Sequence, residues 1–127
     1  MQANRRRSFF GAIALCLAAV SPAAAHHGGD VEWADAAVGP ITGTATKFAF
    51  QFPHVFFEME VEENGSTSTW SITTRWTPTI LRDHGWSRDS IKPGDKVTVT
   101  YLPHIEKPHV GQMQTIEING QSLPLSF

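Results

Sequence analysis

The stretch that decides the fold runs Val55-Phe56-Phe57-Glu58-Met59-Glu60-Val61-Glu62-Glu63-Asn64-Gly65-Ser66-Thr67-Ser68-Thr69-Trp70-Ser71-Ile72-Thr73. Val55, Phe57, Met59 and Val61 alternate with Phe56, Glu58, Glu60 and Glu62, a period of two that describes a strand with an apolar inner face and an acidic outer one. Asn64-Gly65 is a hairpin signal, because both residues tolerate the positive φ of a two-residue turn. The chain returns from about Thr67 to Thr73, with Trp70 and Ile72 on one face and Thr69, Ser71 and Thr73 on the other.

Upstream, Ile41 to Phe50 is rich in Thr and Phe, which favour strands, and Phe52-Pro53-His54 punctuates it. Downstream the period changes. Thr77 suits an N-cap, Pro78 the first helical position, Ile80-Leu81 supply an apolar side, and Gly85 is placed to end a helix of two turns. Trp86 is expected to fold back under that helix as a core plug, with Arg82, Arg88 and Asp89 as a structural network around it. Lys92-Pro93-Gly94-Asp95 reads as a tight turn. Val97, Val99 and Tyr101 mark a fourth strand, Met113 to Ile118 a fifth, and Asn119-Gly120 another turn, with Leu123 and Leu125 trailing. Three strands, a short helix and two strands is the order of an OB-fold. The expected class is therefore mainly β: a small OB-like five-stranded barrel with one short helix between strands 3 and 4. Another small β-sandwich or roll satisfies the same pattern.

The chain has 127 residues, room for one domain. Its first 25 residues read as an address. Arg5, Arg6 and Arg7 precede an apolar run from Phe9 to Val20, then Ser21-Pro22 and Ala23-Ala24-Ala25. That is the order of a cleavable secretory signal. The run is shorter than the roughly 20 residues a bilayer span needs. Arg6-Arg7 resembles a twin-arginine signal, and Cys16 lies within the apolar run. The expected organisation is a signal peptide over 1–25, an extended Gly- and Ala-rich arm over 26–40, and the barrel over 41–127. Cleavage after Ala25 would remove three of the ten basic residues and the one cysteine, leaving seven against twelve acidic, a net charge of −5. An acidic, thiol-free, exported domain is expected in the periplasm of a Gram-negative host, with no stable membrane span after cleavage. It is a poor partner for nucleic acid.

With these elements placed, the sequence resembles a family of small exported bacterial proteins known only as a domain of unknown function (DUF family 6152). The resemblance rests on His26-His27 after the signal, Ile41-Thr-Gly-Thr-Ala-Thr-Lys47, Pro53-His54, Trp70, Leu81-Arg82, Gly85-Trp-Ser-Arg-Asp-Ser90 and Lys92-Pro-Gly-Asp-Lys-Val-Thr-Val99. Members usually carry Asn before the Pro-His pair, where this chain has Phe52. The resemblance implies an OB-like barrel in the cell envelope and no established activity.

Chemistry is sought in the six histidines. A free terminal amine with the His26 imidazole chelates Cu(II), Ni(II) or Zn(II). Cleavage one residue earlier would put His27 third, where the amine, two amides and the imidazole suit square-planar Cu(II) or Ni(II). His54 falls in the first-to-second strand connection, and His104 and His109, with Glu106 between them, in the fourth-to-fifth. These loops flank the usual ligand face of an OB-fold. The metal candidates are thus His26, His27, His54, His104 and His109, with copper the favoured ion and no cofactor established. His84 reads as a helix-terminus residue.

Phe56 and Trp76, with Trp33, are candidates for stacking on a ligand. Glu58, Glu60 and Glu62 read as a solvated strand face. No thiol nucleophile or local Ser-His-Asp context survives in the mature chain, so no catalytic residues and no enzyme activity are expected. Two function classes stay open: a copper-binding envelope protein, and a non-catalytic module that binds a peptide, a glycan or an envelope protein partner.

Overall fold

The computed structural model describes residues 32–124. The signal reading over 1–25, Cys16, His26, His27 and Leu125 lie outside the described residues. Seven elements follow in order: β1 (Val38–Ala49), β2 (Phe56–Glu63), β3 (Ser66–Thr73), α1 (Pro78–Asp83), β4 (Lys96–Pro103), β5 (Val110–Ile118) and β6 (Gln121–Ser122). The five expected strands and the helix are present, and β6 adds a sixth, two-residue strand after the Asn119-Gly120 turn. β1 begins at Val38 and not Ile41, so the barrel starts inside the stretch expected to be an arm. β5 begins at Val110 and not Met113, because backbone pairing carries it past the alternating segment.

The strands are ordered β3-β2-β1-β4-β5-β6, and a parallel pairing of β3 with β5 closes the ring. That is the OB-fold topology. β1 is twelve residues long and serves two neighbours: Val38 to Thr44 pair with β4, and Thr44 to Ala49 pair with β2. Register shifts between Val38 and Ile41 and between Ala45 and Lys47 bend the strand so that it can turn from one partner to the other. Gly43 sits inside this bend. A Cβ there would lie 2.5 Å from the Glu60 carbonyl oxygen, so β1 and β2 approach this closely only because the residue has no side chain.

Both hairpin signals form as read, with positive φ at Asn64 and Gly65 and again at Asn119 and Gly120. The inward set of β2, Phe57, Met59 and Val61, meets Ile72, Val97, Val99, Met113 and Ile116 in one core. Thr77 caps α1 by accepting from the Ile80 amide at 3.4 Å, Pro78 occupies the first turn, and Gly85 leaves at φ 87°. Trp86 is 2% exposed, as expected of a plug. Its indole N–H donates to the Pro124 carbonyl at 3.1 Å, which also ties the C-terminal segment to the core. The loop network beside it differs from expectation. Serines, not the charged residues, brace the turn: the Ser87 amide donates to Ser90 Oγ and the Asp89 amide to Ser87 Oγ, while Arg82 leans 5.9 Å over the Phe50 ring.

Candidate functional site

One cross-strand row explains which loops meet. Ala49 pairs with Phe56, Phe56 with Thr73, Thr73 with Gln112, and Gln112 with Leu102. The β1–β2 connection, the exit of β3 and the β4–β5 connection therefore open at the same end of the barrel. The segment before β1 joins them. The Ala34 amide donates to the Pro103 carbonyl at 2.8 Å, the Ile105 amide donates to the Glu32 carbonyl at 2.9 Å, and Trp33 forms an antiparallel bridge with His104. Residues 32–34 thus extend the sheet by a short stretch beside the end of β4.

Between these segments lies a cleft of about 830 Å³. Glu32, Trp33 and Asp35 line it from the arm, His54 from the β1–β2 connection, Thr73 to Arg75 from the exit of β3, and His104, Lys107 and Gln112 from the β4–β5 side. The β3 exit is held firmly. Thr74 is 1% exposed, its amide donates to the Val55 carbonyl at 2.8 Å, and its hydroxyl donates to the Trp76 carbonyl at 3.0 Å. The volume falls within the roughly 300–1,000 Å³ of small-molecule sites.

His54 and His104, fifty residues apart, share this cleft, as the loop placement leads one to expect. Their chemistry differs. His54 is exposed. His104 Nδ1 accepts the amides of Glu106 and Lys107 at 3.0 and 3.2 Å, and its ring meets the edge of Trp33 at 5.3 Å. With Nδ1 accepting, the proton of a neutral imidazole resides on Nε2, so neither nitrogen offers a lone pair to a metal without dismantling the turn. His104 is a structural acceptor and not a free ligand. His109 is also displaced from its expected role. It does not line the cleft; its backbone is left-handed at φ 57°, and its ring packs on Trp70 at 4.9 Å. Among the described residues no group of three or more His, Cys, Asp or Glu side chains is disposed to hold a metal ion. His84 closes α1 as expected, with Nδ1 2.9 Å from the Ile80 carbonyl oxygen.

The aromatic candidates are corrected as well. Phe56 is half-buried with the Lys47 ammonium 5.2 Å above its ring, and Trp76 packs against the core with the Arg75 guanidinium 5.0 Å over it. Neither ring lines the cleft; Trp33 is the aromatic that does. Arg75 and Lys107 escaped the sequence reading, because a charged residue just past a strand or in a turn carries no periodic signal, and Gln112 escaped it because β5 begins before the expected Met113.

Two perturbed groups lie outside the cleft. Asp95 is held below the usual carboxylate range by the side-chain amide of Asn119 and then by the Lys92 amide, and burial raises the Tyr101 phenol with a smaller push from Glu63.

No curated protein matches the chain. Among solved structures, the chain is similar to two of the mitochondrial single-stranded DNA-binding protein Rim1 from S. cerevisiae, one of them selenomethionine-labelled. Identities are 10% and 12%, the TM-score is 0.47 in each case, and the match covers 71% of this chain and 98% of that one. A family model matches residues 14–113, and the chain belongs to that family, the family of unknown function DUF6152.

Proposed function

We propose that the protein is an exported, periplasmic OB-fold module without catalytic activity, which takes a ligand in the barrel-end cleft. The observation that carries this reading is the cleft itself. Four chain segments converge on it, backbone hydrogen bonds fix the arm and the β3 exit, and Trp33, the two imidazoles and several charged groups face a volume suited to a small ligand or a peptide segment. Mass spectrometry of the protein recovered from the periplasm reads the N-terminus and tests export directly. Amide shift mapping with separate peptide, oligosaccharide and Cu(II) additions tests the cleft. Shifts confined to the Phe56 face, or no shifts with any of the three, would overturn it.

The path of the arm favours a second reading, copper binding. The arm is anchored at Glu32, five residues beyond His27. Glu32 and the exposed His54 line the same cleft, and five extended residues span about 17 Å, which supports a processed terminus beginning His26-His27 that joins His54. The metal set is then His26, His27 and His54, with His104 and His109 left out. Calorimetry of the processed protein should show micromolar or tighter Cu(II) binding that His26→Ala weakens strongly; no binding by correctly processed protein would sink this reading.

The outer face of β2 carries Glu58, Glu60 and Glu62. A row of carboxylates there repels a phosphate backbone, which supports the reading that nucleic acid is not the ligand. No helix among the described residues is long and apolar enough to cross a membrane.

A further inference from the structure

The cleft carries charge of both signs. Glu32 and Asp35 line it from the arm, Arg75 from the β3 exit and Lys107 from the β4–β5 connection. The ion pair seen among the described residues joins Lys47 to Glu58 and involves none of these four. Opposite charges that line one cavity without an ion-pair contact remain available to a ligand that carries both signs. Arg75 is also positioned, because its guanidinium rests 5.0 Å over Trp76, whose backbone is tied to Thr74. Trp33, Leu102 and Val110 give the cleft its larger apolar lining.

On the reading that this cleft is the ligand site, we propose that its ligand is a short zwitterionic peptide. The terminal ammonium lies toward Glu32 and Asp35, the terminal carboxylate toward Arg75 and Lys107, and an apolar side chain lies against Trp33. The charge pattern selects this class. A neutral glycan would leave four charged groups partly desolvated and unpaired, at a cost. A bare metal cation would pair with the two carboxylates alone and leave Arg75 and Lys107 unmatched. The volume exceeds what a free amino acid fills and suits a few residues of peptide.

The test uses ¹⁵N-labelled protein and three probes: Ala-Leu-Ala, its N-acetyl form and its C-terminal amide. The free tripeptide should shift the amides of Trp33, Thr73 to Arg75, His104 to Lys107 and Gln112. Blocking either end should weaken binding about fivefold, the upper range for a solvent-accessible ion pair. Asp35→Asn should weaken the free peptide by a similar factor and leave the N-acetyl form unchanged, and Lys107→Gln should do the same with respect to the amide. Both are exposed positions, and unchanged amide positions away from the cleft confirm that the variants fold. Equal binding of all three probes overturns the zwitterion. If the peptides leave the cleft unmoved while an oligosaccharide or Cu(II) shifts it, the peptide class fails and the cleft stands as the ligand site. If no probe shifts it, both fail.

Discussion

Replacing His104 separates a structural imidazole from a metal-binding one. Its Nδ1 accepts two backbone amides, at 3.0 and 3.2 Å. Each such bond contributes about 0.5–1.5 kcal/mol net, and because Glu106 and Lys107 are exposed, their freed amides can turn to water, which favours the low end. The edge contact with Trp33 at 5.3 Å adds about 0.5–1.5 kcal/mol. His104→Phe keeps an aromatic ring and removes the acceptor, so it should cost about 1 kcal/mol. His104→Ala removes both and should cost about 2 kcal/mol. A domain of this size loses about 4–8 °C in Tm per kcal/mol. Thermal unfolding by circular dichroism should therefore order the proteins wild type, His104→Phe, His104→Ala. The Glu106 and Lys107 amide resonances should move in both variants. His104→Asn, whose carbonyl can accept one of the two amides, should recover part of the loss. The reasoning fails if His104→Phe is as stable as wild type, leaves those two amides in place and abolishes Cu(II) binding. That pattern would make His104 a free ligand.

Three further outcomes follow from the same geometry. Gly43→Ala would press a methyl group against the Glu60 carbonyl, which is backbone and cannot swing away, so destabilisation of about 1–3 kcal/mol is expected in urea unfolding. The Asp95 carboxyl is depressed in the folded state by the Asn119 amide and the Lys92 amide. Its contribution is therefore fully present above the ordinary carboxylate pKa and lost as pH falls through the lower folded value. Asp95→Asn should flatten the acid limb of a stability–pH profile below about pH 4, and an unchanged limb would count against the assignment. Fluorescence anisotropy with a labelled oligothymidylate should show no binding at physiological salt, given the carboxylate row on β2; salt-sensitive binding in the micromolar range would reverse that expectation.

Much of the barrel was legible in the chain because its signals are local. The alternation from Val55 to Val61, the Asn-Gly turns and the Thr77-Pro78 start each act within a few residues, and each formed where it was read. Edges were less legible. β1 gained three residues at its start and β5 three at its start, because backbone pairing with a neighbouring strand extends an element regardless of its side chains. The site was legible only in part. Loop placement brought His54 and His104 together, whereas the aromatic candidates Phe56 and Trp76 proved to be packed under Lys47 and Arg75.

The sequence by itself determined the strand pattern, the turns, the helix and its caps, because these follow from side-chain period and backbone preference over short spans. Only the tertiary structure decided which groups share a cavity and which nitrogen of an imidazole is already engaged. Arg75, Lys107 and Glu32 line one cleft because strand register and the arm's backbone hydrogen bonds bring their segments to one end of the barrel, and His104 is a structural acceptor because the turn that follows it aims two amides at its ring. Those facts depend on distances between residues far apart in the chain or on the path of a single turn, and composition and spacing carry neither.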